Sequence, residues 1–217
     1  MGKLDDKVAL VAGGTGTVGE GVVRAILKEG ATVVVPSRAA EAIEKLRGYL
    51  GDVDGNRLVS IVGNIGEIEG AEKIRDEVLS RFGRLDAVVA SLGGSWEEAL
   101  TLTEVSIETW QRYLESNLTS HFVAARTFLP VLAAKKRGSY TLIGGASADL
   151  PVPRYSVVAI PSAGQLMMAR ILIEEMKGSG VRINQVIFGM VNTRARAAYA
   201  KPNWITADEV GEVCAWL

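Results

Sequence analysis

The fold of this chain is decided by one stretch near its start, Val8-Ala9-Leu10-Val11-Ala12-Gly13-Gly14-Thr15-Gly16-Thr17-Val18-Gly19. Its apolar half predicts a buried strand, and its glycine-rich half predicts a tight turn before a helix that opens near Val18. Such a unit can hold a pyrophosphate, because glycines let the backbone approach the phosphates and the N–H groups at the helix start point at the anion. A glycine-rich turn that binds no ligand is the alternative.

Composition bounds the class of protein. A chain of 217 residues, 48% of them apolar and with a net charge of −1, suits one soluble domain and gives no sign of a nucleic-acid surface. No apolar run approaches the ~20 residues of a membrane span, and the N-terminus has no signal-peptide core, so we expect no membrane contact. The single Cys214 is not part of a metal-binding motif, so we expect no metal site. It cannot form an internal disulfide, so we expect a reducing, cytoplasmic location.

Strand-like and helical segments alternate along the chain. Further strands are predicted at Thr32–Val35, Leu58–Val62, Ala87–Ser91, Tyr140–Ile143 and Arg182–Phe188. The longest helical patterns cover 107–136, bent or interrupted at Pro130, and 160–177, with Pro161 in the first turn. The alternation predicts an α/β fold: a Rossmann-type doubly wound parallel sheet with helices on both faces, as a single nucleotide-binding domain over residues 1–217.

The end of the second strand bears on the choice of cofactor. An Asp or Glu there would bind the ribose 2′-OH of NAD, but the chain reads Val35-Pro36-Ser37-Arg38. A guanidinium beside a hydroxyl suits a 2′-phosphate, because Arg binds phosphate through charge-assisted hydrogen bonds. The sequence therefore favours NADP(H) over NAD(H). The alternative is that Arg38 is a solvated side chain at the start of the next helix.

Several motifs resemble those of the short-chain dehydrogenase/reductases along essentially the whole chain. The glycine pattern is similar to that of the family's extended and atypical branches, Asn117 matches its structural and catalytic Asn, and the segment from Gly180 to Thr193 is similar to the one that follows its active-site helix. The resemblance implies that the nucleotide contacts are Gly13, Thr15, Gly16, Thr17, Val18, Gly19, Ser37, Arg38, Asn64, Ile65, Ser91, Gly93, Gly189, Val191 and Thr193.

The catalytic positions of this family are altered here. At the family's usual spacing, its Ser, Tyr and Lys fall on Gly145, Val158 and Ser162. A second alignment takes Tyr155 as the catalytic Tyr, which leaves Ala159 at the Lys position and Leu142 at the Ser position. Neither alignment restores the set, so the resemblance implies an eroded active site.

A general acid contributes ~10²–10⁴ to a rate, and Val158 has no proton to give. The candidates for a replacement are Tyr155, which has no Lys one turn further on, and Ser147, with Asn117 beside them. Tyr155 as a partly buried packing residue is the alternative. His121 lies one turn after Asn117, and a lone His on a packed helix is more often a core or interface group.

The resemblance also bears on assembly. The helix over 160–177 has wide apolar coverage, which suits burial against a second copy. The resemblance implies a homodimer or homotetramer built through the helices at about 107–136 and 160–177. The family's C-terminal strand has no counterpart in the sequence, so either the sequence stops before that strand or the sheet has one strand fewer.

Three functions remain open for a protein of this kind. The favoured one is an oxidoreductase that uses NADP(H) on a small carbonyl or alcohol with a non-standard proton donor. The second is a catalytically inactive protein that binds NADP(H) or a metabolite as a sensor or regulator, which the missing Tyr and Lys favour. The third is a scaffold, which the glycine pattern and Arg38 oppose.

Overall fold

A six-stranded parallel sheet forms the centre of the computed structural model, which describes residues 2–94 and 99–217. The strands are β1 Val8–Ala12, β2 Thr32–Ser37, β3 Leu58–Val62, β4 Ala87–Ala90, β5 Gly138–Gly145 and β6 Val181–Phe188. They lie in the order β3-β2-β1-β4-β5-β6. This order reverses direction between β1 and β4, and the carboxyl ends of strands at such a reversal form the crevice where α/β sheets bind ligands.

Helices cover both faces of the sheet. They are α1 Gly19–Lys28, α2 Ala40–Tyr49, α3 Ile68–Phe82, α4 Ile107–Leu114, α5 Ser120–Ala134, α6 Ser156–Glu175 and α7 Ala207–Trp216. One hydrophobic cluster joins the sheet to α3, α5 and α6, and a second joins it to α1, α2 and α7. Two short strands, β7 Val191–Asn192 and β8 Ile205–Thr206, form a separate parallel pair. The predicted Rossmann-type single domain is confirmed.

The central strand β1 shows why its sequence is apolar without interruption. Leu10 and Val11 are both fully buried, yet they belong to different hydrophobic clusters. Successive side chains of a strand point to opposite faces, so a strand that is covered on both faces needs an apolar residue at every position. Each such side chain contributes about 1.5–3 kcal/mol when it is fully buried.

Two prolines correct the predicted helix boundaries. Helix α5 continues through Pro130 without a break. Helix α6 begins at Ser156, so Pro161 lies in its second turn and not in its first. A Pro inside a helix costs about 3 kcal/mol, and here the packing of a 20-residue helix that buries Pro161 itself outweighs that cost.

The helix predicted over 107–136 contains a turn that its periodicity does not indicate. A π-helical turn, Glu115–Thr119, joins α4 to α5. Such turns carry one extra residue and occur frequently at functional sites. This one includes Asn117, which the sequence analysis assigned to the site.

One helix among the described residues, α6, is long and apolar enough to cross a membrane by length and composition, with a mean hydropathy of 1.5. This corrects the expectation that no apolar segment approaches such a span. Only 28% of its most apolar window is buried. Helix α6 also packs on β5 and β6 and places Ala169 in the core.

Two glycines let α1 and α7 cross closely. A β-carbon on Gly21 would lie 2.1 Å from the carbonyl oxygen of Ala207, and one on Gly211 would lie 2.2 Å from that of Gly21. Beside this crossing the Arg24 guanidinium donates to the Asp208 carboxylate at 2.6 and 2.8 Å. The crossing therefore fixes the helix that follows the glycine-rich turn.

We predict that Gly21→Ala destabilises the protein by about 1–3 kcal/mol, because the new methyl group would overlap the Ala207 carbonyl. The matched control is Gly48→Ala in α2, where no atom lies within 4 Å of an added β-carbon. That helical site should gain about 0.5–1 kcal/mol from Ala. Urea unfolding should give opposite signs for the two variants. A Gly21→Ala protein as stable as the wild type would contradict the close crossing.

Candidate functional site

The turn between β1 and α1 is packed backbone against backbone. Gly13 has a φ of 77°, which favours glycine, and a β-carbon there would lie 2.1 Å from the Ser91 carbonyl oxygen. A β-carbon on Gly19 would lie 2.1 Å from the Gly13 carbonyl oxygen. Gly16 differs, because it is exposed and the nearest atom to an added β-carbon is 3.1 Å away. The outer glycines therefore close the turn, and Gly16 lies exposed on its outside, where its N–H donates to the Gly13 carbonyl at 2.9 Å.

The start of α1 offers further groups to an anion. Thr15, Thr17 and Val18 are partly exposed, and within the described residues no side chain caps the helix start at Val18. The Glu20 and Gly21 N–H groups donate to the carbonyls of Gly16 at 2.8 Å and Val18 at 3.1 Å. The helix start therefore offers a negative charge the positive end of the helix dipole. The structure thus brings the predicted contacts of the turn together at the crevice.

The end of β2 places a cation at the same edge of the sheet. Arg38 follows the strand directly and is exposed. Ser37 is buried, and its hydroxyl donates to the Ala39 carbonyl at 3.0 Å and accepts from the Ala39 N–H at 3.3 Å. The hydroxyl therefore shapes the turn into α2, and the guanidinium is the group that faces solvent.

The turn after β3 holds the next two predicted contacts. Asn64 Nδ2 donates to Glu67 Oε1 at 2.7 Å, and Asn64 Oδ1 accepts from the Gly66 N–H at 3.1 Å. Ile65 is buried in the core. Both side chains are thus engaged within the protein. A hydrogen bond of 2.9 Å from the Gly63 N–H to the Ser37 carbonyl holds this turn next to the end of β2.

The loop after β4 is contacted by the π-helical turn. Asn117 Oδ1 lies 2.7 Å from the place that a β-carbon on Gly93 would take. Asn117 Nδ2 donates to the Tyr113 carbonyl at 3.0 Å and to Ser116 Oγ at 2.9 Å. The π-helical turn therefore aims Asn117 at Gly93, and two residues predicted for the site from separate motifs lie together.

A hydroxyl lies beside the position of the family's missing Ser. Ser147 Oγ is 3.6 Å from the place that a β-carbon on Gly145 would take. Gly145 ends β5, and Ser147 lies in the 3₁₀ turn Ala146–Ala148 that follows. This turn brings Ser147 to a place that sequence spacing alone assigns to Gly145.

One face of α6 carries the remaining catalytic positions. Tyr155, Val158 and Ser162 share it, because residues three or four apart lie on the same side of a helix. Ser162 Oγ donates to the Val158 carbonyl at 2.8 Å, so this hydroxyl is used inside the helix. Tyr155 directly precedes the helix and is partly buried. The structure therefore places a phenol one turn before the family's Tyr position, with no ammonium at the family's Lys position.

The backbone next to Tyr155 is strained. Arg154 adopts a φ of 67°, and its Nε donates to the Ala99 carbonyl at 2.9 Å. Tyr155 itself forms an isolated parallel bridge with Leu100. A left-handed non-glycine residue costs about 1–3 kcal/mol and persists only where its surroundings impose it, which happens most often at functional sites.

The segment after β6 is fastened to the glycine-rich turn. It contains three predicted nucleotide contacts: Gly189, which is exposed, and Val191 and Thr193, which are buried. The next residue, Arg194, pairs with Glu20 at 3.2 Å and lies 3.9 Å above the ring of Tyr49. Glu20 is 4% exposed at the start of α1. The ion pair therefore neutralises a carboxylate that would otherwise oppose an anion in the turn.

One polar cluster is not predicted by the sequence. His121, expected to be a core or interface group, is buried, but its neighbour Gln165 and the Gln185 side chain that donates to Gln165 were not anticipated. The available signal was a glutamine on the apolar side of α6. Burial lowers the pKa of His121 to about 4, so the ring is neutral at pH 7.

Two other groups are inert by their surroundings. Burial raises the pKa of the Cys214 thiol to about 12, which keeps it protonated and unreactive at neutral pH. Over residues 2–94 and 99–217 no group of three or more His, Cys, Asp or Glu side chains could hold a metal ion.

The fold and the crevice define a nucleotide-binding protein of the dehydrogenase type. The family model for short chain dehydrogenase matches residues 7–204, and the chain belongs to this family of oxidoreductases. The uncharacterized oxidoreductase YvrD of Bacillus subtilis is 29% identical over 91% of this chain and 73% of its own. Glucose 1-dehydrogenase 2 of the same organism is 26% identical over 99% of this chain and 88% of its own.

Solved structures share the fold at lower identity. A short-chain type dehydrogenase/reductase from Mycobacterium ulcerans has a TM-score of 0.90 at 21% identity, covering 99% of this chain and 83% of its own. ElxO with NADP bound has a TM-score of 0.88 at 19% identity, covering 97% and 90%. The closed form of serine dehydrogenase complexed with NADP⁺ has a TM-score of 0.85 at 20% identity, covering 96% and 88%.

Proposed function

We propose that the protein is an NADP(H)-dependent oxidoreductase that acts on a small carbonyl or alcohol. The observation that carries the proposal is the exposed glycine-rich turn at the start of α1, which has no side-chain cap among the described residues, with Arg38 at the neighbouring strand end. The turn fits a pyrophosphate, and Arg38 fits a 2′-phosphate. ElxO and serine dehydrogenase, which share the fold, were solved with NADP. When bound, NADP(H) gives or takes the hydride.

The protein's own residues supply the proton chemistry in this proposal. Tyr155 would donate its phenol proton to the alkoxide that forms as a carbonyl is reduced. Ser147, beside Gly145, would hydrogen-bond the same oxygen and orient it. Asn117 holds the loop at Gly93 on the other side. In these roles Ser147 and Tyr155 would replace the family's Ser and Tyr. The packing of α6 against the 3₁₀ turn that holds Ser147 supports this pairing.

The side chains at the family's Tyr and Lys positions favour a second function. Val158 has no proton to donate, and the Ser162 hydroxyl is bonded to the Val158 carbonyl. A site that binds NADP(H) or a small metabolite without turnover would sense or regulate instead of catalysing.

We also propose that the protein forms a homodimer or homotetramer through the α4–α5 helix and α6. Exposed apolar side chains on these helices support an interface between copies: Phe122, Ile160, Met167, Ile171 and Ile173. A monomer needs only one apolar face on each helix, so a second one is explained when another copy covers it.

Arg38→Ala should weaken NADPH binding about 10–100-fold, because a charge-assisted hydrogen bond contributes about 1.5–3 kcal/mol. Binding of NADH, which has no 2′-phosphate, should not change. Fluorescence titration of the purified chain measures both. Arg137→Ala, at the amino end of β5 and so at the opposite edge of the sheet, is the matched control. Equal affinity of the wild type for NADPH and NADH would contradict the preference for NADP(H).

Tyr155→Phe should lower NADPH oxidation with a carbonyl substrate by ~10²–10⁴, the usual contribution of a general acid. The affinity for NADPH should not change. Tyr49→Phe removes a phenol hydroxyl from the end of α2 and should keep full activity. Full activity in Tyr155→Phe would exclude this donor. The sensor function would be supported if the wild type binds NADPH but turns over no carbonyl in a broad screen. In that case Val158→Tyr combined with Ser162→Lys should create activity.

Met167→Glu should dissociate the proposed oligomer, because it places a charge in the apolar face of α6. The matched control is Leu102→Glu, since Leu102 lies outside these helices and is exposed to a similar extent, 57% against 51% for Met167. Sedimentation velocity at micromolar concentration gives the state of each protein. A wild type that sediments only as a monomer would contradict the proposal.

A further inference from the structure

An imidazole and two amide groups lie together beneath the end of β5. His121 on α5 and Gln165 on α6 are 1% and 3% exposed. Gln165 Nε2 donates to the Ile143 carbonyl at 2.8 Å and lies 3.4 Å from His121 Nδ1. Gln185 on β6 donates through Nε2 to Gln165 Oε1 at 3.4 Å. The cluster thus joins two helices to two neighbouring strands.

Gly144 makes room for the two glutamines. A β-carbon on Gly144 would lie 2.6 Å from Gln165 Oε1 and 2.6 Å from Gln185 Nε2. Gly144 is not among the glycines with a positive φ, so these side chains and not the backbone conformation require glycine here. Its chain neighbour is Gly145, beside which Ser147 lies.

The other end of the cluster holds the loop after β4. His121 Nε2 lies 3.1 Å from the Leu92 carbonyl oxygen. A carbonyl only accepts, and the neutral ring has one N–H, so Nε2 carries the hydrogen and Nδ1 accepts from Gln165. Gln165 Nε2 and His121 Nε2 are then both donors, so their separation of 3.2 Å is not a hydrogen bond. Leu92 is followed by Gly93, which Asn117 contacts.

We propose that His121 and Gln165 are positioning residues for the nicotinamide end of the nucleotide site. His121 fixes the loop at Leu92, and Gln165 fixes the end of β5 at Ile143. Buried polar groups stabilise a fold no better than apolar ones of the same shape, but hydrogen-bonded ones specify one arrangement. His121 and Gln165 both have such bonds, whereas Gln185 Oε1 has no partner within the described parts of the chain. Here they are concentrated where two strands deliver the loops of the site. This inference rests on the proposed binding of NADP(H).

The test compares NADPH with 2′,5′-ADP, which contains the adenine half and the 2′-phosphate but no nicotinamide. His121→Phe keeps a ring of similar size and removes the N–H that Leu92 accepts. It should weaken NADPH binding about tenfold and leave 2′,5′-ADP binding unchanged. His121→Gln, whose Nε2 can donate to the same carbonyl, should restore most of the affinity. Gly144→Ala should have the same effect as His121→Phe, because its methyl group would displace Gln165 and Gln185. It provides the test if His121→Phe does not fold.

A control separates positioning from stability. Val78 on α3 is fully buried in the hydrophobic cluster that joins the sheet to α3, α5 and α6, and it lies outside the site. Val78→Ala should lower the free energy of unfolding and leave both affinities unchanged. NADPH affinity equal to the wild type in His121→Phe and Gly144→Ala, or a parallel loss of both ligands, would overturn the inference. A wild type that binds neither ligand would instead overturn the proposed function.

Discussion

The structure depends on a contact in which the backbone of Gly19 lies against the carbonyl of Gly13 with no space for a β-carbon. This contact sets the start of α1 over the carboxyl end of β1, where the sheet order reverses. From that helix, Gly21 meets α7 and Glu20 meets Arg194. One backbone contact therefore sets the ligand cradle together with the elements on either side of it.

Much of the fold was predictable, because its information is local. A strand such as Val8–Ala12, covered on both faces, must be apolar at every position, and the sequence shows this directly. The start of α6 was not predictable, since Ser156 follows a turn that Arg154 fastens to Ala99 on a distant loop. Helical periodicity also gives no sign of a π-helical turn, because one extra residue barely alters the pattern of apolar positions.

The two halves of the candidate site also differ in how well the sequence predicts them. The nucleotide-binding half consists of short sequence motifs at strand ends, and the fold brings those ends together. The catalytic half depends on spatial neighbours. Ser147 comes near Gly145 only because a 3₁₀ turn follows β5, and His121 meets Gln165 only because α5 and α6 pack together. Spacing along the chain shows which family residues are missing, but it does not show which neighbours stand in their place.

The π-helical turn has a consequence for how this protein can change in length. Removing one residue from Glu115–Thr119 would convert it to ordinary α-helix and keep α4 and α5 in phase with the sheet. The core would survive such a deletion, while Asn117 would rotate away from Gly93. A single-codon deletion there would therefore separate what folding requires of this turn from what the crevice requires of it.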